Sequence, residues 1–237
     1  MVLRLSGVTK TYGRLTALDD VSLSVRSGEV LGLIGPNGAG KTTLFECLAG
    51  LLPIDRGAVT LDNRAIGVSD RARHLFYMPD GIAPWSSQRL AWVLDFTIAF
   101  FEGDAARRND VVRRLALEPL LGSEIGRLSK GQRKRALLAV GMLTPHPFLL
   151  IDEPFDGLDL RQSHEVGAAL RDHAAAGRTL FLSIHQIHDA ARFCDRFVLL
   201  SGGRVRGEGT LDELSTLTRQ PDHGGPPDLE QVFLALT

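Results

Sequence analysis

The sequence predicts an α/β fold with a mostly parallel sheet, an antiparallel β subdomain at the N-terminus, and an inserted α-helical subdomain. Short apolar, β-rich runs alternate with helical patterns along most of the chain, which is typical of parallel sheets. The first two runs instead alternate apolar and polar residues, as antiparallel strands with one buried face do. Between residues 86 and 129 two helical periods replace the strand-like runs, which indicates the insertion.

The chain opens with the alternating runs VLRLSGV and VSLSV, followed by the apolar run VLGLI, a glycine loop and a helical stretch over 41–51. Further strands are expected at five short apolar runs, residues 58–61, 74–78, 148–151, 179–184 and 196–200. The two helical periods cover about 88–101 and 104–116, and we place the whole insertion at about 86–145.

The C-terminal end differs in composition from the rest of the chain. Residues 221–228, PDHGGPPD, are a loop by composition, and the final DLEQVFLALT has the apolar spacing of a short helix. We therefore assign residues 1–218 to one domain, and residues 219–237 to a linker and a short C-terminal helix.

Composition excludes several classes of protein. With 237 residues, 44% apolar and 23% charged, the chain can bury a full core and is neither disordered nor fibrous. A formal net charge of -1 gives no broad basic surface, so no direct contact with nucleic acid is expected. The dense charge cluster Arg133, Lys134 and Arg135 is typical of a solvated helix face.

Cys47 and Cys194 have no Cys or His beside them at metal-ligand spacing, so we expect reduced structural thiols in a cytosolic protein. The N-terminal MVLRLSG lacks the pattern of a signal peptide. Asp95 interrupts the longest apolar stretch, and no run approaches the roughly 20 residues that a spanning helix needs. We therefore expect a chain without membrane spans.

A phosphate-binding loop is predicted by Gly35, Gly40, Lys41 and Thr42, which fit G-x-x-x-x-G-K-[ST] between an apolar strand and a helix. Glycines let the backbone approach phosphate closely, and the positive end of the following helix dipole favours an anion. Lys41 can reach the β and γ phosphates, and the hydroxyl of Thr42 can ligate Mg²⁺. The alternative is an ordinary glycine turn before a helix.

Two carboxylates close the apolar run FLLIDE, and they suggest the second half of a hydrolytic site. Open α/β sheets bind ligands at the carboxyl ends of their strands, where Asp152 falls. Asp152 would hold Mg²⁺ through a water, and Glu153 would orient and polarise the attacking water. A solvated turn is the alternative for two adjacent acids.

Over residues 1 to 215 the chain resembles the nucleotide-binding domain of the ATP-binding-cassette (ABC) family, which has a P-loop NTPase core. The resemblance rests on Tyr12, GPNGAGKTT, LSKGQ at 128–132, FLLIDEP at 148–154, Asp159 after Leu158, and His185, in this order and spacing. It implies that ATP is held by the whole loop, namely Gly35, Pro36, Asn37, Gly38, Ala39, Gly40, Lys41, Thr42 and Thr43. ATP and Mg²⁺ are the implied cofactors.

Ser129 precedes a periodic helix and suits an N-cap, so its segment presents N–H groups and a hydroxyl to an anion. The resemblance implies that Ser129, Gly131 and Gln132 contact the γ phosphate bound to a second copy, so that two chains enclose two ATP molecules. Asp159 would then lie at the interface between the copies.

The resemblance also implies that Tyr12 stacks on adenine, and that His185 contacts the γ phosphate and couples it to Glu153. Lys41, Glu153 and His185 are therefore the expected catalytic residues. The alternatives are a packed surface aromatic for Tyr12 and a hydrogen-bonded histidine at a strand end for His185.

Asp80 departs from the family pattern, because the family usually places glutamine in this loop, where it touches Mg²⁺ and the membrane partner. The chain reads YMPDGIAPW there. A shorter acid can still bind Mg²⁺ or its water, although its reach and charge differ. The alternative is a plain turn residue before Gly81.

The resemblance implies an ATPase subunit of an ABC transporter that binds a separate integral membrane permease subunit, on the cytoplasmic, inner face of the cell membrane. The closing DLEQVFLALT and the LSKGQ variant resemble ATPases of bacterial ABC-2-type exporters. The apolar run from Leu90 to Phe101 would either line the groove for the membrane subunit or form a core helix. The alternatives are a soluble mechanical ABC ATPase acting on nucleic acid or ribosomes, and a regulatory module without turnover, which Glu153 opposes.

Overall fold

The computed structural model describes residues 1–185, 187–218 and 228–237. Its strands in chain order are β1 (Val2–Tyr12), β2 (Leu15–Arg26), β3 (Val30–Ile34), β4 (Arg56–Leu61), β5 (Arg64–Ala65), β6 (Leu75–Met78), β7 (Phe148–Asp152), β8 (Thr179–Ile184), β9 (Arg196–Ser201) and β10 (Arg204–Gly209). They form two sheets, which confirm the predicted α/β class with a separate N-terminal sheet.

The first sheet is antiparallel, with strand order β2-β1-β4-β5. The second has the order β10-β9-β3-β8-β7-β6, and all its neighbouring pairs are parallel except β10 with β9. Because β3, β8, β7 and β6 run side by side in one direction, their carboxyl ends meet at one edge of the sheet.

The central strands β3, β7 and β8 are buried along their whole length, as strands covered on both faces must be. Successive side chains point to opposite faces. Leu31 and Leu150 accordingly pack with α1 and the antiparallel sheet, whereas Val30 and Ile151 pack with the helices on the other face. Two apolar cores therefore hold the parallel sheet rigidly between them.

The helices are α1 (Lys41–Ala49), α2 (Val68–His74), α3 (Leu90–Phe100), α4 (Ala105–Arg114), α5 (Lys130–Leu143), α6 (Leu160–Ala175), α7 (Ile187–Phe193), α8 (Leu211–Leu217) and α9 (Leu229–Leu236). Short 3-10 turns lie at Glu118–Leu120 and Ile125–Arg127. Helices α3, α4 and α5 lie between β6 and β7 and pack on one another, and the two predicted helical periods are confirmed as α3 and α4. The proposed domain limits stay predictions.

Several elements differ from expectation. Helix α1 ends at Ala49 rather than at residue 51, because Gly50 adopts a left-handed conformation with φ of 79° and stops it. The sequence reasoning missed α2, α8, β5 and β10. Of the loop predicted at 221–228, residues 221–227 lie outside the described residues, and Asp228 caps α9 by accepting a hydrogen bond from the Glu230 N–H.

Candidate functional site

The phosphate-binding loop connects β3 to α1, and two of its glycines, Gly35 and Gly40, have no room for a side chain. A Cβ on Gly35 would lie 2.3 Å from the carbonyl oxygen of Leu200. Gly40 has φ of 106°, and a Cβ there would lie 2.7 Å from the carbonyl oxygen of Ala17. Gly40 also gives α1 no capping side chain, so the N–H groups of the first turn are left for an anion.

Lys41 is buried, with 7% of its surface exposed, and its ammonium faces the loop. Nζ donates to the carbonyl oxygens of Gly35 at 2.7 Å and Pro36 at 3.4 Å, and lies 3.8 Å from Oε1 of Glu153. The Lys41 ammonium is thus held inside the loop and beside a carboxylate, where it can also bind a phosphate.

Asp152, at the end of β7, is 4% exposed and accepts three side-chain hydrogen bonds. Thr42 Oγ1 donates to its Oδ2 at 2.8 Å, Ser183 Oγ donates to Oδ1, and Tyr77 Oη lies 3.5 Å from Oδ2. Burial raises the pKa of Tyr77, and the negative charge of Asp152 raises it further. The phenol therefore stays a neutral donor that helps to hold the Asp152 carboxylate.

Glu153 is held in an uncommon backbone conformation, with φ of 51°. A non-glycine residue in this left-handed region costs about 1 kcal/mol or more, and such residues cluster at functional sites. Its N–H donates to the carbonyl oxygen of Ser183 at 3.1 Å. Its carboxylate accepts from the backbone N–H of His185 at 3.3 Å and lies 2.7 Å from Nδ1 of the same residue. The bend places Glu153 between Lys41 and His185.

Asp80 follows β6 and forms an ion pair with Lys134 of α5, Nζ to Oδ1 at 2.5 Å. Lys134 Nζ also lies 3.4 Å from the carbonyl oxygen of Asp152. The solvated helix face expected for residues 133–135 is therefore wrong, because Lys134 and Arg135 are buried and Arg135 donates to the carbonyl oxygen of Leu115. Their polar ends reach partners on other elements.

The phosphate loop, Asp80, Asp152 and Glu153 line a cavity of about 580 Å³, a size ordinary for ligand sites. The predicted site residues Gly35 and His185 do not line it. The sequence-predicted residues that line it are Tyr12, Pro36, Asn37, Gly38, Ala39, Gly40, Lys41, Thr42, Thr43, Asp80, Asp152 and Glu153. Tyr12 is 45% exposed at one end of the cavity, and Lys10 Nζ lies 5.5 Å from its ring centroid. Sequence reasoning missed the remaining lining residues, Leu15, Thr16, Ala17, Gly202 and Gly203.

The residues predicted to serve a second copy lie elsewhere: Ser129, Gly131, Gln132 and Asp159 do not line this cavity. Ser129 caps α5 as predicted, accepting from the Gln132 N–H at 3.3 Å, while Oε1 of Gln132 accepts from the Ser129 N–H at 3.0 Å. Asp159 caps α6 with a single bond, accepting from the Gln162 N–H at 2.8 Å. Ser129 and Asp159 are both exposed.

Three residues that contact the site were not singled out as site residues from the sequence: Tyr77, Lys134 and Ser183. Ser183 carried a readable signal, since it is a polar residue between Leu182 and Ile184 in the apolar part of β8, and the structure buries it fully. A buried hydroxyl needs a partner, and Asp152 is that partner. Tyr77 and Lys134 carried no comparable local signal.

The donor set fits a hard divalent cation. Thr42 and Asp152 present a hydroxyl and a carboxylate within 2.8 Å of each other, and Asp80 faces the same cavity. Mg²⁺ prefers such oxygen ligands, usually one or two carboxylates together with substrate phosphates. Within the described residues no three His, Cys, Asp or Glu side chains converge as a metal-ligand group. A Mg²⁺ ion here would therefore take further ligands from a nucleotide and from water.

Cys47 and Cys194 are buried free thiols. Burial raises the pKa of Cys47 to about 11, so the thiol stays protonated at neutral pH. Across the part of the chain that the structure describes, no helix combines the length and the apolar character needed to cross a bilayer.

The fold and the site can be compared with known proteins. The family model described as "ABC transporter" matches residues 18–156, more than half of the chain. The Nod factor export ATP-binding protein I of Ralstonia nicotianae is 33% identical over 228 residues, covering 91% of this chain and 69% of that protein. The sulfate/thiosulfate import ATP-binding protein CysA of Mesorhizobium japonicum is 34% identical over 231 residues, covering 93% and 67%.

A solved structure titled as the ATP binding subunit of an ABC transporter superimposes with a TM-score of 0.87 at 28% identity, covering 100% of this chain and 99% of that one. The site defines an ATP-binding cassette, and the chain belongs to the ABC transporter family. It is an ATP-binding subunit of that family, an ATPase that powers transport.

Proposed function

We propose that ATP lies in the cavity with its β and γ phosphates inside the loop of residues 35–43 and its adenine against Tyr12. Lys41 would exchange its contacts with the loop carbonyls for phosphate oxygens. Thr42, Asp152 and Asp80 would hold Mg²⁺, which when bound neutralises phosphate charge. The exposed ring of Tyr12 at one end of the cavity and the uncapped first turn of α1 at the other support this orientation.

The observation that carries the hydrolytic proposal is the row Lys41, Glu153, His185, joined by contacts of 3.8 and 2.7 Å. Glu153 would orient a water against the γ phosphate and polarise it as general base. His185 would keep the Glu153 carboxylate in place and contact the γ phosphate from its other side. The left-handed backbone of Glu153 supports this role, because it aims the carboxylate at both neighbours.

A second copy would complete the site. The cavity of one chain receives nothing from Ser129, Gly131, Gln132 or Asp159, whereas Ser129 and Asp159 are exposed at the N-termini of α5 and α6. Leu160, next to Asp159, is 71% exposed, and burying such apolar surface favours association. We therefore propose an ATP-dependent homodimer in which each signature segment closes the partner's cavity.

The surface for a membrane permease subunit would be an aromatic stripe on α3, formed by Trp92, Phe96 and Phe100. These side chains are 47%, 45% and 67% exposed and stack along the helix with ring centroids 5.2 and 6.1 Å apart. The opposite face of α3, with Leu90 and Val93, is buried. The buried face fits the expectation of a core helix. The exposed aromatic face supports the proposal of a groove for the membrane subunit, because Trp and Phe are enriched at protein interfaces.

The permease subunit would place this chain at the cytoplasmic, inner face of the cell membrane. We also propose export as the direction of transport, on the basis of the closing DLEQVFLALT and the LSKGQ segment. The two relatives described above include one export and one import protein, so the direction rests on those segments alone.

The experiment is an affinity pull-down of the tagged chain from detergent-solubilised native cells, followed by mass spectrometry. A polytopic membrane protein should be recovered at comparable stoichiometry with the wild type. Phe96→Ser should lose it, because truncating an aromatic hot spot costs about 2 kcal/mol or more. Leu217→Ser is the matched control, since Leu217 is 56% exposed on α8, away from the stripe, and should retain the partner. Recovery of ribosomal or nucleic-acid-bound proteins without a membrane protein would overturn the proposal in favour of the mechanical ATPase.

A further inference from the structure

The Asp80–Lys134 pair joins a buried ammonium to a carboxylate that lines the cavity. The Lys10–Asp55 pair has a similarly buried ammonium, but neither of its residues lines the cavity. The Lys134 side chain is 8% exposed and that of Asp80 is 35% exposed, whereas Arg113, paired with Asp110 on α4, is 73% exposed. An exposed pair is screened by water and contributes little. A buried ammonium, in contrast, is costly without a partner and acts strongly on charges near it.

Lys134 is placed to act on the metal side of the cavity. Its Nζ lies 2.5 Å from Oδ1 of Asp80, which lines the cavity, and 3.4 Å from the carbonyl oxygen of Asp152. The Asp152 carboxylate in turn accepts from Thr42. One side chain from α5 therefore contacts both acidic residues that could hold a divalent cation.

The charges around this edge of the cavity are unequal. Three carboxylates, Asp80, Asp152 and Glu153, face two ammonium groups, Lys41 and Lys134, which leaves a formal charge of -1 without His185. Removing Lys134 alone would make it -2, and neutralising Asp80 alone would make it zero. A metal-free nucleotide is more strongly anionic than the same nucleotide with its metal. Each single change would therefore alter the affinity for the metal-free nucleotide relative to the affinity for the metal-bound one.

We propose that Lys134 is a positioning residue that holds Asp80 and balances its charge, so that the two together set the divalent-cation dependence of nucleotide binding. This inference rests on the proposed nucleotide site. Asp80 keeps its Oδ1 on Lys134, and its second oxygen is the one that remains to face a metal or its water. Because Lys134 lies on α5, five residues after Ser129, the pair also joins the metal side of the cavity to the helix that begins at the signature segment.

The test measures the affinity for the β,γ-imido analogue of ATP, which is not hydrolysed, by calorimetry in excess Mg²⁺ and in excess chelator. The ratio of the two dissociation constants, chelator over Mg²⁺, is the metal dependence. Lys134→Met should raise this ratio about fivefold or more, because the unpaired Asp80 repels the metal-free nucleotide. Asp80→Asn should lower it by a similar factor, since Lys134 then takes over part of the metal's role.

The double variant Asp80→Asn with Lys134→Met has the same net charge as the wild-type site and should return the ratio to near the wild-type value. It therefore still tests the proposal if one of the single variants folds poorly. Arg113→Met is the control: it removes a paired cation far from the cavity and should leave the ratio unchanged. An unchanged ratio in Lys134→Met with a lowered ratio in Asp80→Asn would show that Asp80 acts alone, and would overturn the proposal. Equal shifts in one direction for both single variants would overturn it too.

The outcomes also separate this inference from the proposed function. If the wild-type chain failed to bind the analogue both in excess Mg²⁺ and in excess chelator, the nucleotide site itself would be wrong. If the wild type bound it with a clear metal dependence that neither single variant changed, the nucleotide site would stand and the role of Lys134 would be wrong.

Discussion

Two groups of functional side chains are held in place differently in this chain. Near the carboxyl ends of β3 and β7, Lys41, Asp152 and Glu153 contact groups that come from other elements. At the N-termini of α5 and α6, the side chains of Ser129 and Asp159 form hydrogen bonds with the first turn of their own helices, and with no other group among the described residues. The first group is assembled by the folding of one chain, whereas the second is a pair of exposed caps. This contrast supports the proposal that one chain binds the nucleotide and a second copy encloses it.

The largest expected effect is at the assembled end. Lys41→Ala removes the charge held between the loop carbonyls and Glu153, and electrostatic groups of this kind contribute factors of about 10² to 10³ in turnover. We expect ATPase activity to disappear and nucleotide affinity to fall with it. Steady-state phosphate release and a binding titration measure the two effects. Full turnover in the variant would show that Lys41 is not part of the catalytic site.

A change at the exposed caps should affect ATPase turnover without affecting nucleotide affinity, whereas Lys41→Ala loses both. Ser129→Asn keeps an N-cap, since asparagine caps as well as serine does, but it removes the hydroxyl that the partner's nucleotide would meet. We expect turnover to be lost while the nucleotide affinity of the isolated chain is kept. The same two assays apply, and a parallel loss of affinity would mean that Ser129 serves the cavity of its own chain.

A change at Asp159 should have the smallest effect, and it distinguishes a role in helix stability from a role in association between copies. Asp159→Asn preserves the cap of α6, so the free energy of unfolding should change by no more than about 0.5 kcal/mol. ATP-dependent association should weaken several-fold, because the carboxylate is lost from the proposed interface. Urea unfolding and analytical ultracentrifugation provide the two measurements. A lower free energy of unfolding together with unchanged association would show that Asp159 only caps α6.

The phosphate loop was predictable because its chemistry is local. Gly40, Lys41 and Thr42 are adjacent in sequence, and the strand and helix on either side are strongly patterned. Helix α8 was missed although it carried a local signal, since Thr210 and Glu213 form a capping box with the expected three-residue spacing. Strand β10, RVRGEG, has little intrinsic β preference and depends on pairing with the edge of β9.

The contacts around Asp152 could not be predicted because they join distant parts of the chain. Ser183 and Tyr77 lie 31 and 75 residues away in sequence and meet Asp152 only because β8 and β6 flank β7. The burial of Lys134 was likewise invisible in a run of three basic residues, since helix rotation decides which of them faces inward. Sequence patterns therefore predict site residues that are adjacent in the chain, but they do not predict contacts that tertiary packing creates.

We propose that one chain holds the nucleotide and that a second copy closes the site. Glu153→Gln keeps the shape of the side chain but removes the base, so bound ATP would persist and the closed dimer would accumulate. The most direct measurement is light scattering of this variant at saturating ATP and Mg²⁺. We predict a mass about twice the 25.8 kDa of the chain, falling back to one chain when ATP is removed. A mass of one chain at saturating ATP would contradict the account.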